Sequence, residues 1–174
     1  MKSNAFLLLV LIMVSACSSK EDLPTVKDVD LNKYQGTWYE IARLPNRFEK
    51  GLKCVTANYT LNEDGTIKVI NKGINTEDQS KSETAIGKAK VPDAQFPGQI
   101  KVSFFGPFYG DYYIIDLDEN YQFALVGDPS RKYLWILSRT PRIDDKIYNN
   151  LITKAEQQGF SIKELHLTKQ DCNL

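Results

Sequence analysis

Short runs of alternating apolar and polar residues, separated by tight turns, fill the chain from residue 36 to residue 138. The clearest run is 55–61, in which Val, Ala, Tyr and Leu alternate with Thr and Asn. Asn62-Glu63-Asp64-Gly65 follows and is typical of a hairpin turn, because Asp-Gly accepts positive φ angles. Eight such runs precede any convincing helix, which predicts an all-β sandwich or an up-and-down barrel. Only the barrel removes the edge strands completely.

One amphipathic helix is predicted after the last strand. Thr140-Pro141 suits its start and Gly159 its end. The residues between them carry an apolar stripe at helical spacing, formed by Ile143, Ile147, Leu151 and Ala155. The predicted fold is therefore an eight-stranded antiparallel β-barrel with one C-terminal α-helix packed outside, and residues 161–168 could add a short last strand.

The first sixteen residues predict a secretion signal that is cleaved from the folded protein. Lys2 precedes an apolar run, residues 5–14, that is too short to span a membrane. The following Val14-Ser15-Ala16-Cys17 is similar to the lipobox of bacterial lipoproteins, which implies cleavage before Cys17 and lipidation, including palmitate, at that cysteine. Ser18 then implies sorting to the outer membrane, with the barrel in the periplasm. An ordinary signal peptide with an incidental cysteine is the alternative.

These features divide the chain into three parts. Residues 1–16 are the predicted signal peptide, residues 17–30 an acylated and flexible tether, and residues 31–174 the barrel domain. The chain has 22 Lys and Arg residues against 22 Asp and Glu residues. Because no net charge attracts a polyanion, no nucleic-acid partner is predicted.

Two further cysteines, Cys54 and Cys172, follow the predicted tether. An even pair outside the cytoplasm is most simply a disulfide. Such a bond would attach the C-terminal tail to the second strand.

Four stretches of the sequence resemble the lipocalin family, specifically the bacterial outer-membrane lipoproteins of its apolipoprotein D-like group. The first is Gly36-Thr37-Trp38-Tyr39, and the others lie at residues 69–73, 102–110 and 133–141. The resemblance implies structural roles for Gly36, for Trp38 at the closed end of a barrel, and for Arg139 covering that tryptophan. It also implies the Cys54–Cys172 disulfide.

A cavity inside the barrel is the predicted ligand site, because small residues on the inward faces leave space that a packed barrel would fill. The parity of the sixth strand is ambiguous, so that either Tyr113 and Ile115 or Tyr112 and Ile114 face inward. The candidate ligand-binding residues share an inward position or the mouth; they are Ala57, Tyr59, Val69, Asn71, Phe104, Tyr113, Tyr133, Trp135 and Arg47.

The first connection, residues 44–52, is long enough to be a lid over the open end. Four basic residues on and beside it, Arg43, Arg47, Lys50 and Lys53, face one acid, Glu49. This basic rim predicts a ligand with an anionic head, and a solvated charged loop is the alternative. The aromatic loop at residues 105–110 is predicted to contact ligand, membrane or lid.

Together these observations predict a non-enzymatic lipocalin that stores or transports lipids, such as fatty acids and lysophospholipids, or other small hydrophobic ligands. No cofactor and no metal is predicted, and a homodimer stays open. One alternative is a lipocalin-fold enzyme acting on a lipid, with Cys54 as the only candidate nucleophile. Another is a membrane-anchored structural or interaction protein whose barrel is filled.

Overall fold

The computed structural model describes residues 22–172, so the predicted signal peptide and Cys17 lie outside the described residues. Eight strands form the barrel: β1 (Gly36–Arg43), β2 (Leu52–Leu61), β3 (Ile67–Asn75), β4 (Ser82–Lys90), β5 (Gln99–Phe105), β6 (Phe108–Leu117), β7 (Phe123–Gly127) and β8 (Leu134–Ser138). Each pairs antiparallel with its neighbour in sequence, and β1 also pairs with β8, which closes the barrel. The predicted fold class is confirmed.

A short helix, α1 (Leu31–Tyr34), precedes β1, and the predicted C-terminal helix is α2 (Asp145–Gln157). Helix α2 starts later than Thr140-Pro141, because the Asp144 side chain accepts hydrogen bonds from the first amides of the helix. Its stripe packs as predicted, with Leu151 and Ala155 buried. Within residues 22–172, no helix has the length and hydrophobicity needed to span a membrane.

Two apolar clusters lie on the two faces of the barrel wall. The inner cluster contains Trp38, Tyr59 and Ile114, and the outer cluster contains Leu125, Ile136 and the buried face of α2. The helix therefore packs against the outside of the barrel, as the sequence predicts. Several strands consequently have apolar side chains on both faces.

Residues 22–30 correct the prediction of a flexible tether that extends to residue 30. Leu23 is only 3% exposed and belongs to the outer cluster. The Val26 amide donates a hydrogen bond to the Ile114 carbonyl (2.9 Å), and the Asp30 amide donates to the Tyr121 hydroxyl (2.8 Å). This part of the predicted tether is thus packed on the barrel.

The C-terminal tail lies between the mouth-side halves of β1 and β2. These two strands pair from Gly36↔Tyr59 to Tyr39↔Thr56. Beyond that point a ninth strand, β9 (His166–Leu167), pairs with the end of β1, while the Cys54 amide donates to the Lys169 carbonyl (2.7 Å). The predicted disulfide between Cys54 and Cys172 then joins the tail to β2.

Candidate ligand-binding site

The barrel encloses one largely apolar cavity that opens at the end where β1 leads into the lid. The space between its wall atoms is about 720 Å³, including the open mouth, and about 90 Å³ of it can hold the centre of a water molecule. Six of the nine predicted ligand-binding residues line it: Ala57, Tyr59, Val69, Asn71, Phe104 and Trp135. The sequence did not assign Tyr34, Glu40, Glu49 or Ile100 to this wall, and it left Tyr112 open as one of two possibilities for the sixth strand.

The opposite end is closed by Trp38, which is fully buried. The Arg139 guanidinium lies 3.9 Å from the centre of its ring, and the Trp38 Nε1 donates to the Tyr34 carbonyl (2.9 Å). Gly36 has a φ angle of +89°, and a Cβ there would lie 3.5 Å from Nη1 of Arg139. The three residues that the family resemblance marks as structural therefore meet at this end.

Three tyrosine hydroxyls form a chain above the closed end. The Tyr112 hydroxyl lies 2.8 Å from those of both Tyr34 and Tyr59. Burial raises the pKa of all three tyrosines well above the ordinary value. The hydroxyls consequently stay protonated and satisfy one another inside an otherwise apolar wall.

Tyr113 does not line the cavity, which corrects its assignment as a ligand-binding residue. Tyr113 and Ile115 pack against the outer cluster, whereas Tyr112 and Ile114 belong to the inner one. The sequence does not resolve this parity because apolar groups cover both faces of β6. A register shift between Ile114 and Asp116 further disturbs the alternation.

Trp135 is the aromatic residue of the cavity nearest the lid, and it contacts the lid directly. Its Nε1 donates to Oε2 of Glu49 (3.1 Å), the same oxygen that accepts from the Asn46 amide nitrogen (2.5 Å). The Asn46 Oδ1 in turn accepts from the backbone amides of Phe48 and Glu49, both at 3.0 Å. The lid is thus ordered by its own side chains and hydrogen-bonded to the cavity wall.

Tyr133 stacks on the outer side of Trp135, with ring centres 5.9 Å apart and nearly parallel planes. Phe48 lies 6.0 Å further out against Tyr133. Tyr133 therefore supports Trp135 without lining the cavity, which corrects its assignment as a ligand-binding residue. The three rings form a continuous aromatic row from the protein surface to the cavity wall.

Glu40 is a buried acid in the wall below the lid, with 2% of its surface exposed. Its Oε1 accepts a hydrogen bond from the Thr168 hydroxyl and lies 2.5 Å from Nη1 of Arg43. Burial and, to a smaller extent, the nearby Glu49 raise the pKa of the Glu40 carboxyl to about 8, against the opposing effects of Arg43 and Thr168. Glu40 shares its strand parity with Trp38, and this signal could have identified it as inward-facing.

The predicted basic rim does not border the cavity, because none of its four cations, Arg43, Arg47, Lys50 and Lys53, lines it. Arg43 is buried against Glu40 and donates to the Glu49 carbonyl (2.7 Å), and Lys53 pairs with Asp171 of the tail (2.9 Å). Arg47 lies over the Phe48 ring, 5.1 Å from its centre, and does not line the cavity. Among the described residues, the acidic or basic side chains that line the cavity are those of Glu40 and Glu49.

Asn71 adds an acceptor to the same cavity. Its Oδ1 is buried and has no hydrogen-bond partner among the described residues. On the neighbouring strand β4 a Cβ at Gly87 would lie 2.8 Å from the Phe104 ring, so glycine is needed there for Phe104 to keep its position. A bound group that donates hydrogen bonds would satisfy the Asn71 oxygen, because an unpaired buried acceptor is costly.

Cys54, the candidate nucleophile of the enzyme alternative, is not a free thiol. Cys54, Cys172 and Asp171 bring donor atoms within 4.8 Å of one another, but both sulfurs belong to the disulfide. His166 is exposed on β9. The geometry consequently describes a container whose polar atoms are hydrogen-bond acceptors near the mouth and mutually paired hydroxyls near the closed end.

Comparison with known proteins agrees with this geometry. A family model described as a lipocalin-like domain matches residues 29–170. The chain belongs to the lipocalin family. Among lipocalins it is 47% identical to the outer membrane lipoprotein Blc of Citrobacter freundii, over 91% of this chain and 90% of that protein. It is also 34% identical to mouse apolipoprotein D, over 84% of this chain and 80% of that protein.

The lipocalin fold is equally evident from solved structures. Insecticyanin from the tobacco hornworm Manduca sexta superposes with a TM-score of 0.68 at 22% identity, over 85% of this chain and 84% of that one. At this identity the likeness shows the fold alone.

Proposed function

We propose that this lipocalin binds lipids or other amphiphiles in its barrel, for storage or transport, while an acylated Cys17 anchors it to the outer membrane with the barrel in the periplasm. The lipobox-like Val14-Ser15-Ala16-Cys17 supports the anchor. The similarity to a protein named as an outer membrane lipoprotein supports the location. Mass spectrometry of the N-terminal peptide tests the anchor, and an unmodified Cys17 would contradict it.

The observation that carries the binding proposal is an apolar cavity whose mouth is bordered by Trp135 and an ordered lid. Burying about fourteen methylenes of an acyl chain yields roughly 11 kcal/mol. Association opposes this with about 4–15 kcal/mol. The net free energy is modest, which suits a carrier that must bind and release its ligand.

The polar atoms near the mouth favour a ligand head that donates hydrogen bonds. Glu49 and the unpaired Asn71 oxygen are acceptors in the cavity wall, and the cations of the lid region, Arg43, Arg47, Lys50 and Lys53, do not line the cavity. An anionic head, as predicted from the basic rim, would be repelled by these oxygens, with no cation among the described residues of the cavity wall to offset the repulsion. We therefore propose that a lysophospholipid with an ammonium head binds more tightly than a fatty acid of the same chain length.

The enzyme alternative has less support. Cys54, its only candidate nucleophile, is disulfide-bonded to Cys172. A sulfur held in a disulfide is not a thiolate and cannot attack a substrate. Non-catalytic binding therefore remains the proposal, and a homodimer stays a prediction that sedimentation velocity can test.

Titration with lysophosphatidylethanolamine tests the proposal through tryptophan fluorescence. Trp135 lines the cavity and Trp38 is buried at the closed end, so the saturable signal should come from Trp135. Trp135→Phe should lose the signal while Trp38→Phe keeps it. The absence of any saturable response, with the ligand not retained on gel filtration, would favour the filled-barrel alternative.

A further inference from the structure

The loop between β5 and β6 exposes large aromatic side chains to water. Phe105 and Phe108 pair across this hairpin and are each 78% exposed, and Tyr109 is 41% exposed. We call residues 105–109 the aromatic tip. Contiguous exposed apolar groups of this kind mark an interaction surface, because water contact costs them free energy that a partner would recover.

The aromatic tip lies at the mouth of the barrel. In an up-and-down barrel the odd-numbered connections share one end, and the lid is the first connection while the aromatic tip is the fifth. The lid carries its own exposed aromatic residue, Phe48, which is 54% exposed. Because β1 and β5 stand on opposite sides of an eight-stranded ring, these two aromatic points flank the mouth.

One cation lies against a ring of the aromatic tip, and another lies against the ring of Phe48. Nζ of Lys90 lies 4.8 Å from the Tyr109 ring centre, and the Arg47 guanidinium lies 5.1 Å from that of Phe48. Aromatic side chains beside snorkelling cations match the boundary of a bilayer, where rings meet the acyl region and cations meet phosphates. This charge pattern distinguishes a lipid surface from a purely apolar protein partner.

The N-terminal segment brings this end of the barrel near the anchor. Asp30 lies at the closed end beside Tyr121, and Val26 is hydrogen-bonded to Ile114, which lies further toward the mouth on β6. From residue 30 back to residue 26 the segment therefore leads from the closed end toward the mouth. Cys17 is five residues before Asp22, so covalent geometry limits their separation to about 18 Å.

We propose that the aromatic tip and Phe48 dock on the lipid surface that holds Cys17, so that the barrel mouth faces the bilayer. The inference rests on the acyl anchor of the proposed function. It adds an orientation: ligand moves between the bilayer and the cavity along the aromatic row Phe48–Tyr133–Trp135 without crossing bulk water.

Site-specific quenching in the acylated, full mature protein tests the docking. Phe108→Cys carries a thiol-reactive fluorophore, because the native cysteines are disulfide-bonded or, at Cys17, acylated. The protein is reconstituted into phosphatidylethanolamine–phosphatidylglycerol vesicles with brominated acyl chains. The matched control is Phe96→Cys, since Phe96 is 49% exposed on the β4–β5 connection at the closed end.

Docking requires that the fluorophore at position 108 shifts to the blue and is quenched, while the one at position 96 stays in water. Equal exposure of both positions, or quenching at 96 alone, would overturn the inference, as would a Cys17 without acyl groups. Phe105→Cys repeats the test if the change at 108 prevents folding. A lysophospholipid titration in the same vesicles keeps the two proposals separate, because ligand binding can fail while docking holds, and the reverse.

Discussion

The Arg139 guanidinium covers the Trp38 indole at 3.9 Å and also donates hydrogen bonds to the carbonyls of Thr37 (3.0 Å) and Lys33 (2.7 Å). One side chain thus joins α1, β1 and the end of β8 across the closed end of the barrel. Its planar group is needed for stacking and for the divergent hydrogen bonds, which an ammonium group cannot reproduce.

Arg139→Lys should therefore lower the free energy of unfolding by about 2–3 kcal/mol, through loss of the stacking and of at least one partly buried hydrogen bond. Urea denaturation followed by tryptophan emission measures the change. Arg142→Lys is the matched control, since Arg142 is exposed and should lose less than about 0.5 kcal/mol. Equal effects of the two changes would contradict the role of Arg139.

Tyr112→Phe should be more damaging than Tyr113→Phe. The first change leaves the buried hydroxyls of Tyr34 and Tyr59 without their shared partner, at about 1–3 kcal/mol in unfolding free energy. The second alters a residue on the outer face. Thermal unfolding of both variants measures the difference, and the triple change to Phe at positions 34, 59 and 112 should recover much of the loss.

Glu49→Gln should change ligand preference as well as lid order. Removing the charge weakens attraction for an ammonium head and relieves repulsion of a carboxylate head. The dissociation constant for lysophosphatidylethanolamine, divided by that for palmitate, should rise about tenfold. This change corresponds to about 1.4 kcal/mol. Competition titrations measure the ratio, and Glu77→Gln on another mouth loop should leave it unchanged. An unchanged ratio in Glu49→Gln would contradict the proposal that Glu49 favours an ammonium head group.

The stability of the protein should depend on pH through Glu40. Its pKa is raised from 4.5 to about 8 in the folded state, so the folded protein holds a proton that the unfolded chain has lost between these values. The free energy of unfolding should accordingly fall as pH rises from about 4.5 to about 8. Glu40→Gln, which stays neutral, should flatten this slope by at least about 1 kcal/mol across the interval.

Urea denaturation at a series of pH values measures this dependence. Glu83→Gln is a suitable control, because Glu83 is exposed on β4 and should leave the slope as it is. A slope that is the same in Glu40→Gln and the wild-type protein would show that another group titrates.

The barrel could be predicted from the sequence because its evidence is local: alternation along β2 and a hairpin turn at Asp64-Gly65. The parity of β6 could not, since Tyr112 and Tyr113 both have apolar surroundings, one from the cavity and one from the outer cluster. The basic rim could not be predicted correctly for a different reason. The partners of Arg43 and Lys53 include Thr168 and Asp171, which are more than a hundred residues away in sequence.

The tail between β1 and β2 has a consequence for the order in which the protein is completed. The Gln170 amide nitrogen donates to the carbonyls of both Glu40 and Val55, at 2.9 Å each, and so bridges the two strands. This side of the mouth is a composite of the chain's first strands and its final residues. A polypeptide still emerging from a ribosome or an export channel lacks this bridge, so β1 and β2 stay apart on this side of the mouth until residues 166–170 have arrived.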